Sequence, residues 1–433
     1  MKTRLPYYFV LFLLFLQVRI NAQDSAYYNN NYIRYENFTY KRNIKTVQLF
    51  EESWELAPPC IKFNSDQRLR LRFDDLDATN KRYSYTVIHC TADWQPSDLL
   101  SNEYVDGFAD LNINEYQYSF NTTQKFVHYA ATFPNDNMKF LKSGNYLLKV
   151  YEDSDPANLV LTRRFMVTDS KVDISTQINA ATIVADRNYK QEIDFSIFYP
   201  NLNIRNPYDD IKVVITQNDR WDNVINGLKP LYVKDKELVY DLGNGDNCFS
   251  GGNEFRYFDT RGLRYQDMRT KTIVRDSLGT HFYLLDDEKR SFKRYMTAQD
   301  IDGRYLIKAQ DQTDSELRGD YVYVHFFLPY DLQLTDGNLY ILGSLTDWRF
   351  DRQNKLHEGS RKGFYECTLY LKQGYYNYEY VFLKDGENKG DESVVEGAHY
   401  ETENDYAVYV YYRALGTSYD QLVAMKRFNT KTR

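Results

Sequence analysis

Tyr83–Phe108 reads YSYTVIHCTADWQPSDLLSNEYVDGF. Its first eight residues, Tyr83–Cys90, are rich in ring and β-branched side chains, which fit a pleated, half-buried surface. They predict a strand that runs directly into a loop of acids, aromatics and a single proline. The stretch carries no catalytic set. His89 and Cys90 are neighbours, and adjacent strand residues point to opposite faces, so they cannot chelate together.

Working outward, the same strand grammar repeats. Thr46–Phe50 and Leu69–Phe73 precede it, the latter with Leu69, Leu71 and Phe73 facing in and Arg70 and Arg72 facing out. Asp74–Asp77 follows as a turn. Tyr116–Phe120, Phe126–Phe133, Tyr146–Tyr151 and Val160–Val167 come after it. Short strands at this spacing with turn signals between them predict a β-sandwich. The alternation restarts at Val172 and continues through Ile193–Tyr199, Ile211–Ile215 and Tyr232–Leu242. It restarts again at Tyr321–Leu328 after the polar segment Ala309–Gly319, which reads as a linker. Tyr376, Tyr378, Tyr380 and Phe382 share one strand face that reads as core. Short helical turns are expected only within Pro96–Glu103 and Ala298–Ala309. The expected fold is all-β, with tandem immunoglobulin-like or early-set β-sandwich domains at 23–168, 169–312 and 313–433.

Length and composition agree. A chain of 433 residues exceeds one small core and predicts two or three domains. Its 41 Tyr and 26 Phe favour strands, and its net charge of −7 argues against nucleic-acid binding, which needs a basic face. Residues 1–22 read as a secretory signal: Lys2 and Arg4, then the apolar run Tyr7–Val18, then cleavage after Ala22. An uncleaved anchor is the alternative, disfavoured because the run is shorter than the roughly 20 residues of a spanning helix. No later run is long enough to span. Export permits disulfides. Among Cys60, Cys90, Cys248 and Cys367, Cys60 and Cys90 either pair or serve as small buried hydrophobes.

Chemistry finds little support. The six histidines are scattered and none has zinc-like spacing. Asp74, Asp75 and Asp77 lack the alternating oxygen ligands of a calcium loop. No nucleophile elbow or phosphate loop occurs, although a spatially assembled carboxylate pair leaves no sequence mark. The expectation is a protein without cofactor, metal or enzymatic activity. One local alternative is sugar binding. Leu339–Trp348 (LYILGSLTDW), Gly374–Phe382 and Asp385-Gly386 resemble early-set domains that include glycogen- and starch-binding modules. Trp348 matches the first of their stacking tryptophans, whereas Glu387 and Asn388 stand where the second is expected. This gives a periplasmic glycan-binding protein as the alternative function.

Ile44–Leu56 (IKTVQLFEESWEL), Phe73–Leu76 (FDDL), Tyr83–Asp98 (YSYTVIHCTADWQPSD), Tyr118–Thr122 (YSFNT), Ser143–Asp153 (SGNYLLKVYED), Leu161–Val167 (LTRRFMV) and Asn253–Tyr265 (NEFRYFDTRGLRY) resemble the plug proteins of the type IX secretion system of Bacteroidota, in order and across nearly the whole mature chain. The resemblance implies a periplasmic protein, monomeric when free, seated on an outer-membrane SprA-type translocon barrel and sealing its pore when no substrate passes. It assigns no contact residues. Loops on rigid scaffolds carry function, and aromatic and Arg side chains dominate interfaces. The expected partner contacts are therefore Trp94, Gln95, Tyr104 and Phe108 in one loop, and Arg256, Tyr257, Phe258, Arg261, Arg264 and Tyr265 in another. The structural alternative is that both loops pack on their own domains.

Overall fold

A computed structural model describes residues 32–310, 312–331 and 334–432. The expected signal segment and its cleavage site lie outside the described residues. The structure is almost entirely β, as expected, and its strands form three packed units.

The first unit is a sandwich. One sheet runs Phe38–Thr39, Leu159–Thr168, Gly144–Glu152, Tyr83–Cys90 and Asp110–Asn112, with Cys60–Lys62 pairing in parallel on Leu159–Thr168. The opposing sheet runs Ile44–Glu51, Leu69–Asp75, Val127–Phe133 and Glu115–Tyr118. Tyr83–Cys90 lies inside the first sheet, antiparallel to Gly144–Glu152, with Tyr83 opposite Glu152 and Cys90 opposite Asn145. Its alternation sends Tyr83, Tyr85 and Val87 into the core between the sheets. Ile88 and Cys90 point the other way, into a second apolar cluster. Burial on both faces explains why the run lacks a clean polar alternation.

The second and third units are nested. Asp173–Ala180, Lys190–Phe198, Glu237–Tyr240 and Tyr232–Lys234 form one sheet of the second unit. Its facing sheet runs Ile225–Asn226, Ile211–Gln217, Asp405–Tyr412 and Gln421–Asn429, with Ile211 opposite Tyr412 and Gln217 opposite Tyr406. The two share one core that joins Ile193, Ile211, Val213 and Ile215 to Val408 and Val410. The third unit is inserted between these segments. It pairs a sheet centred on Gly374–Lys384 with one running Thr270–Arg275, Thr280–Leu284, Tyr321–Pro329, Phe364–Lys372 and His357–Glu358. The expected boundary at residue 312 therefore does not follow the sheets: the last two strands belong with the second unit, and strands before residue 312 belong with the third. Local pattern marks each strand but not its partner, so an insertion reads as a tandem.

Smaller expectations are also corrected. Asp74 and Asp75 extend strand Leu69–Asp75 and are buried rather than forming a turn. Arg72 is buried rather than outward. The segment Ala309–Gly319 holds a short helix, Ser315–Arg318, which meets the first unit where Phe120 N–H donates to Leu317 O. Ala298–Ala309 forms no helix and contains strand Tyr305–Ile307, whereas Ser101–Tyr104 does make one helical turn. Tyr376, Tyr378 and Tyr380 are buried in the third core, as expected. The four cysteines are free. Cys60 lies opposite Met166, Met166 opposite Asn145, and Asn145 opposite Cys90. Three strand spacings, about 14 Å, separate the pair, against a disulfide limit of about 7 Å. Burial pushes the Cys60 and Cys90 thiols up to about 12.

Candidate functional site: three seams and two exposed loops

Each pair of units meets along a seam, and the seams absorb many of the residues whose sequence reads as functional. Between the first and second units the cluster joins Cys90, Ala92, Trp94 and Leu147 to Val214, Tyr409, Tyr411 and Leu422. Trp94 sits at φ +59°, a left-handed conformation uncommon for a bulky residue. The turn is fixed by Trp94 N–H donating to Thr91 O at 3.0 Å and Thr91 N–H donating to Gln95 O at 2.8 Å. It aims the indole edge-to-face at Trp221, 5.0 Å between ring centroids. The Arg164 guanidinium lies over the Trp94 ring at 4.5 Å. Polar contacts finish the seam: Tyr411 Oη donates to Asn145 Oδ1 at 2.8 Å, and Ala92 N–H donates to Asp420 Oδ2 at 2.9 Å.

The second and third units meet at a neighbour of Trp221. The Arg220 guanidinium lies 4.5 Å over the Trp348 ring and binds Glu379 at 2.9 Å and Asp222 at 2.7 Å. Trp348 is also left-handed, at φ +57°. A Cβ at Gly303 would stand 2.5 Å from the Trp348 ring, so only glycine fits beneath it. Nearby, Arg304 bridges Asp219 at 2.8 Å and Asp405 at 3.0 Å. Burial pushes the Glu379 carboxyl up to about 8 against the opposing pull of Arg220.

The first and third units meet through charge. Lys372 Nζ lies 2.6 Å from Asp74 Oδ2, and each side chain is 1% exposed. Tyr321 Oη donates to the same oxygen at 2.7 Å. His128 Nδ1 lies 2.7 Å from Asp74 Oδ1, and its Nε2 is 3.1 Å from Glu316. Arg72 pairs with Glu316 and Glu55. Burial raises the Asp74 pKa, but the Lys372 charge and the His128 hydrogen bond outweigh it and hold the carboxyl below its usual range. Charges removed from water this far persist only when paired and hydrogen-bonded.

The expected contact residues therefore divide. Trp94 and Tyr104 are buried in the first loop, whereas Gln95 is exposed and Phe108 is 64% exposed. In the second loop Phe258 is core, and Arg256 is buried against Glu396 and Asp287, each at 2.9 Å. Tyr257 stacks on Tyr375, 5.5 Å between centroids, and Arg261 is tied to Asp259. Arg264 is exposed, and Tyr265 is 77% exposed. Trp348, the residue expected to serve as a sugar platform, already has a guanidinium on a stacking face. Sequence reasoning missed Arg220, Trp221, Lys372 and the buried role of Asp74. The adjacent pair Arg220-Trp221 in a turn was the available signal.

A metal has little to hold. Among the described residues, Glu192, Asp194 and Asp241 bring ligand oxygens within 4.8 Å of one another. Thr182 already donates to Glu192, and Asn179 and Asn247 donate to Asp194. No helix of the described residues is long and apolar enough to cross a membrane.

Residues 44–169 match the family described as "Type 9 secretion system plug protein 1st domain". The chain belongs to the type IX secretion plug family. The match spans the first unit from Ile44 onward, including Tyr83–Phe108 and that unit's own side of its two seams. A solved structure, described as a hypothetical protein from Parabacteroides merdae ATCC 43184, is 32% identical. It covers 92% of this chain and is itself covered completely, with a TM-score of 0.89. The shared fold thus extends through the nested second and third units. No curated protein matches the chain.

Proposed function

We propose that this chain is a periplasmic plug that seats on an SprA-type outer-membrane translocon barrel and seals its pore when no substrate is passing. The family match over residues 44–169 carries the reading. The architecture supports it. A pore wide enough for folded cargo leaks unless its stopper is stiff, and here each unit is bonded to both others. Asp74–Lys372 ties first to third, Trp94–Trp221 first to second, and Arg220–Glu379 second to third. Closed three-way contact removes the hinge freedom that a string of linked domains retains by default. The plug acts by fit and needs no catalytic group or cofactor, and it is monomeric when free.

The reading is tested by co-purification. A tagged chain expressed in its own cell should recover the barrel from detergent extracts of the outer membrane. Recovery of the chain alone, with the barrel present in the extract, rejects the proposal. The glycan-binding alternative gains no support, because Trp348 is engaged with Arg220, Phe255 and Gly303.

A further inference from the structure

One of the two terminal strands of a third-unit sheet contributes residues to a cationic groove. Strand Thr270–Arg275 is terminal in its sheet and pairs only with Thr280–Leu284 among the described residues. Ile273 and Arg275, which share one face of this strand, line a groove of about 700 Å³ together with Leu263, Arg264, Tyr265 and Gln266 from the segment that leads into it. Leu263 and Ile273 pack against the margin of the third core and give the groove an apolar floor. Its walls carry two arginines and no carboxylate. Arg275 reaches across to donate to Leu263 O at 3.2 Å, while Arg264 has no ion-pair partner among the described residues. At the groove mouth Tyr265 is 77% exposed and Met268 81% exposed.

We infer that this groove is a strand-addition site: an extended, carboxylate-bearing segment of the translocon barrel pairs with the open edge of Thr270–Arg275. The assignment of that segment to the barrel rests on the plug reading. An open edge offers a row of unpaired backbone donors and acceptors, which a partner strand satisfies. The apolar floor accepts alternate side chains of the added strand. Arg264 and Arg275 then meet its acids, and arginine holds carboxylates through paired, geometrically fixed N–H donors. Groove volume lies within the range of formed binding sites. An anionic glycan or a free carboxylate would use the arginines but leave the strand edge unpaired.

The test compares full-length wild type with Arg264→Glu/Arg275→Glu in barrel capture from detergent extracts, with Val184→Ala, at a second-unit residue that is 77% exposed, as the control for a different exposed surface. Both arginines are solvent-facing, so the melting temperature should be unchanged, and measuring it shows that the variant is folded. Charge reversal should lower capture about tenfold or more, because carboxylates would then face carboxylates. Val184→Ala should capture like wild type. If wild type captures the barrel and the double variant captures it equally, the groove assignment falls and the plug reading stands. If wild type captures no barrel, both fall. If free wild type is a dimer in size-exclusion chromatography and the double variant a monomer, the occupant is a second copy of the chain and the assignment is overturned.

Discussion

Trp94 and Trp348 occupy the same kind of place and reach it by the same device. Each sits in a left-handed turn, and each lies under an arginine, Arg164 and Arg220 respectively. Adjacent side chains of one second-unit turn serve both: Trp221 faces Trp94, and Arg220 faces Trp348. The difference lies in what surrounds them. Trp94 is buried in an apolar cluster, whereas Trp348 is half-buried against Arg220, which is itself bound by Glu379 and Asp222. The lesson is that an aromatic in a loop beside an arginine does not by itself mark a binding surface. Here it marks the joints of a three-part body. The third joint has no tryptophan and relies on Asp74, His128, Glu316 and Lys372.

The contrast between charged and aromatic joints gives the largest expected effect. Lys372→Met should destabilise the chain by about 4 kcal/mol, because it leaves Asp74 buried without its counter-charge. Lys372→Met/Asp74→Leu should recover much of that loss in chemical denaturation. A double variant as unstable as the single one would show that shape, not charge, holds this seam. Trp94→Ala follows, at roughly 3 kcal/mol, from lost packing and the cavity left behind. Trp348→Ala should cost less, about 1–2 kcal/mol, because its ring is only half-buried and its cation–π partner keeps its carboxylates. Equal losses at the two tryptophans would erase the difference drawn between them.

A smaller effect separates the joints by pH. Burial lowers the His128 pKa, but hydrogen bonds to Asp74 and Glu316 outweigh it and the net shift is upward. Such a group stabilises fully below its ordinary value of about 6.5, and the contribution is lost as pH rises through the raised value. The His128 hydrogen bond, helped by Arg72 and opposed by burial, holds Glu316 down at about 2. That group contributes above its ordinary value of about 4.3 and is lost as pH falls toward 2. The charged seam should therefore be firmest between about pH 4.5 and 6.5. His128→Gln should flatten the decline of melting temperature on the alkaline side of that window while leaving Trp94→Ala's deficit independent of pH there. A His128→Gln profile parallel to wild type would remove the imidazole from the seam's pH dependence. Smallest of all, Phe108→Ala should leave the melting temperature within experimental scatter, since exposed substitutions away from special features rarely exceed about 0.5 kcal/mol.

What was legible in the sequence followed the range of the interaction. Strand Tyr83–Cys90 shows in its ring and β-branched side chains, and the buried face Tyr376–Tyr380 shows in period-two patterning, because the neighbours that bury a strand face repeat along it. The nesting of the third unit does not show, since the pairing of Ile211–Gln217 with Asp405–Tyr412 joins segments roughly two hundred residues apart. The same limit hid the seams. Arg72 and Asp74 alternate like surface residues on the outer face of the first sandwich, where Lys372 and Glu316 arrive from the third unit to pair with them. Of the loop residues, Phe108, Arg264 and Tyr265 kept the exposure expected of contacts, while Trp94, Tyr104, Arg256 and Phe258 were claimed by packing within the chain. Large side chains in loops are drawn inward whenever a second unit offers them a surface.

The proposed seal has a direct electrical signature. The measurement is the ionic conductance of purified translocon barrel in a planar bilayer, with the purified chain added to one side at a time. A plug predicts a large open conductance that falls when the chain is added to the periplasmic face and stays unchanged when it is added to the other. Conductance indifferent to the chain on both faces would contradict it.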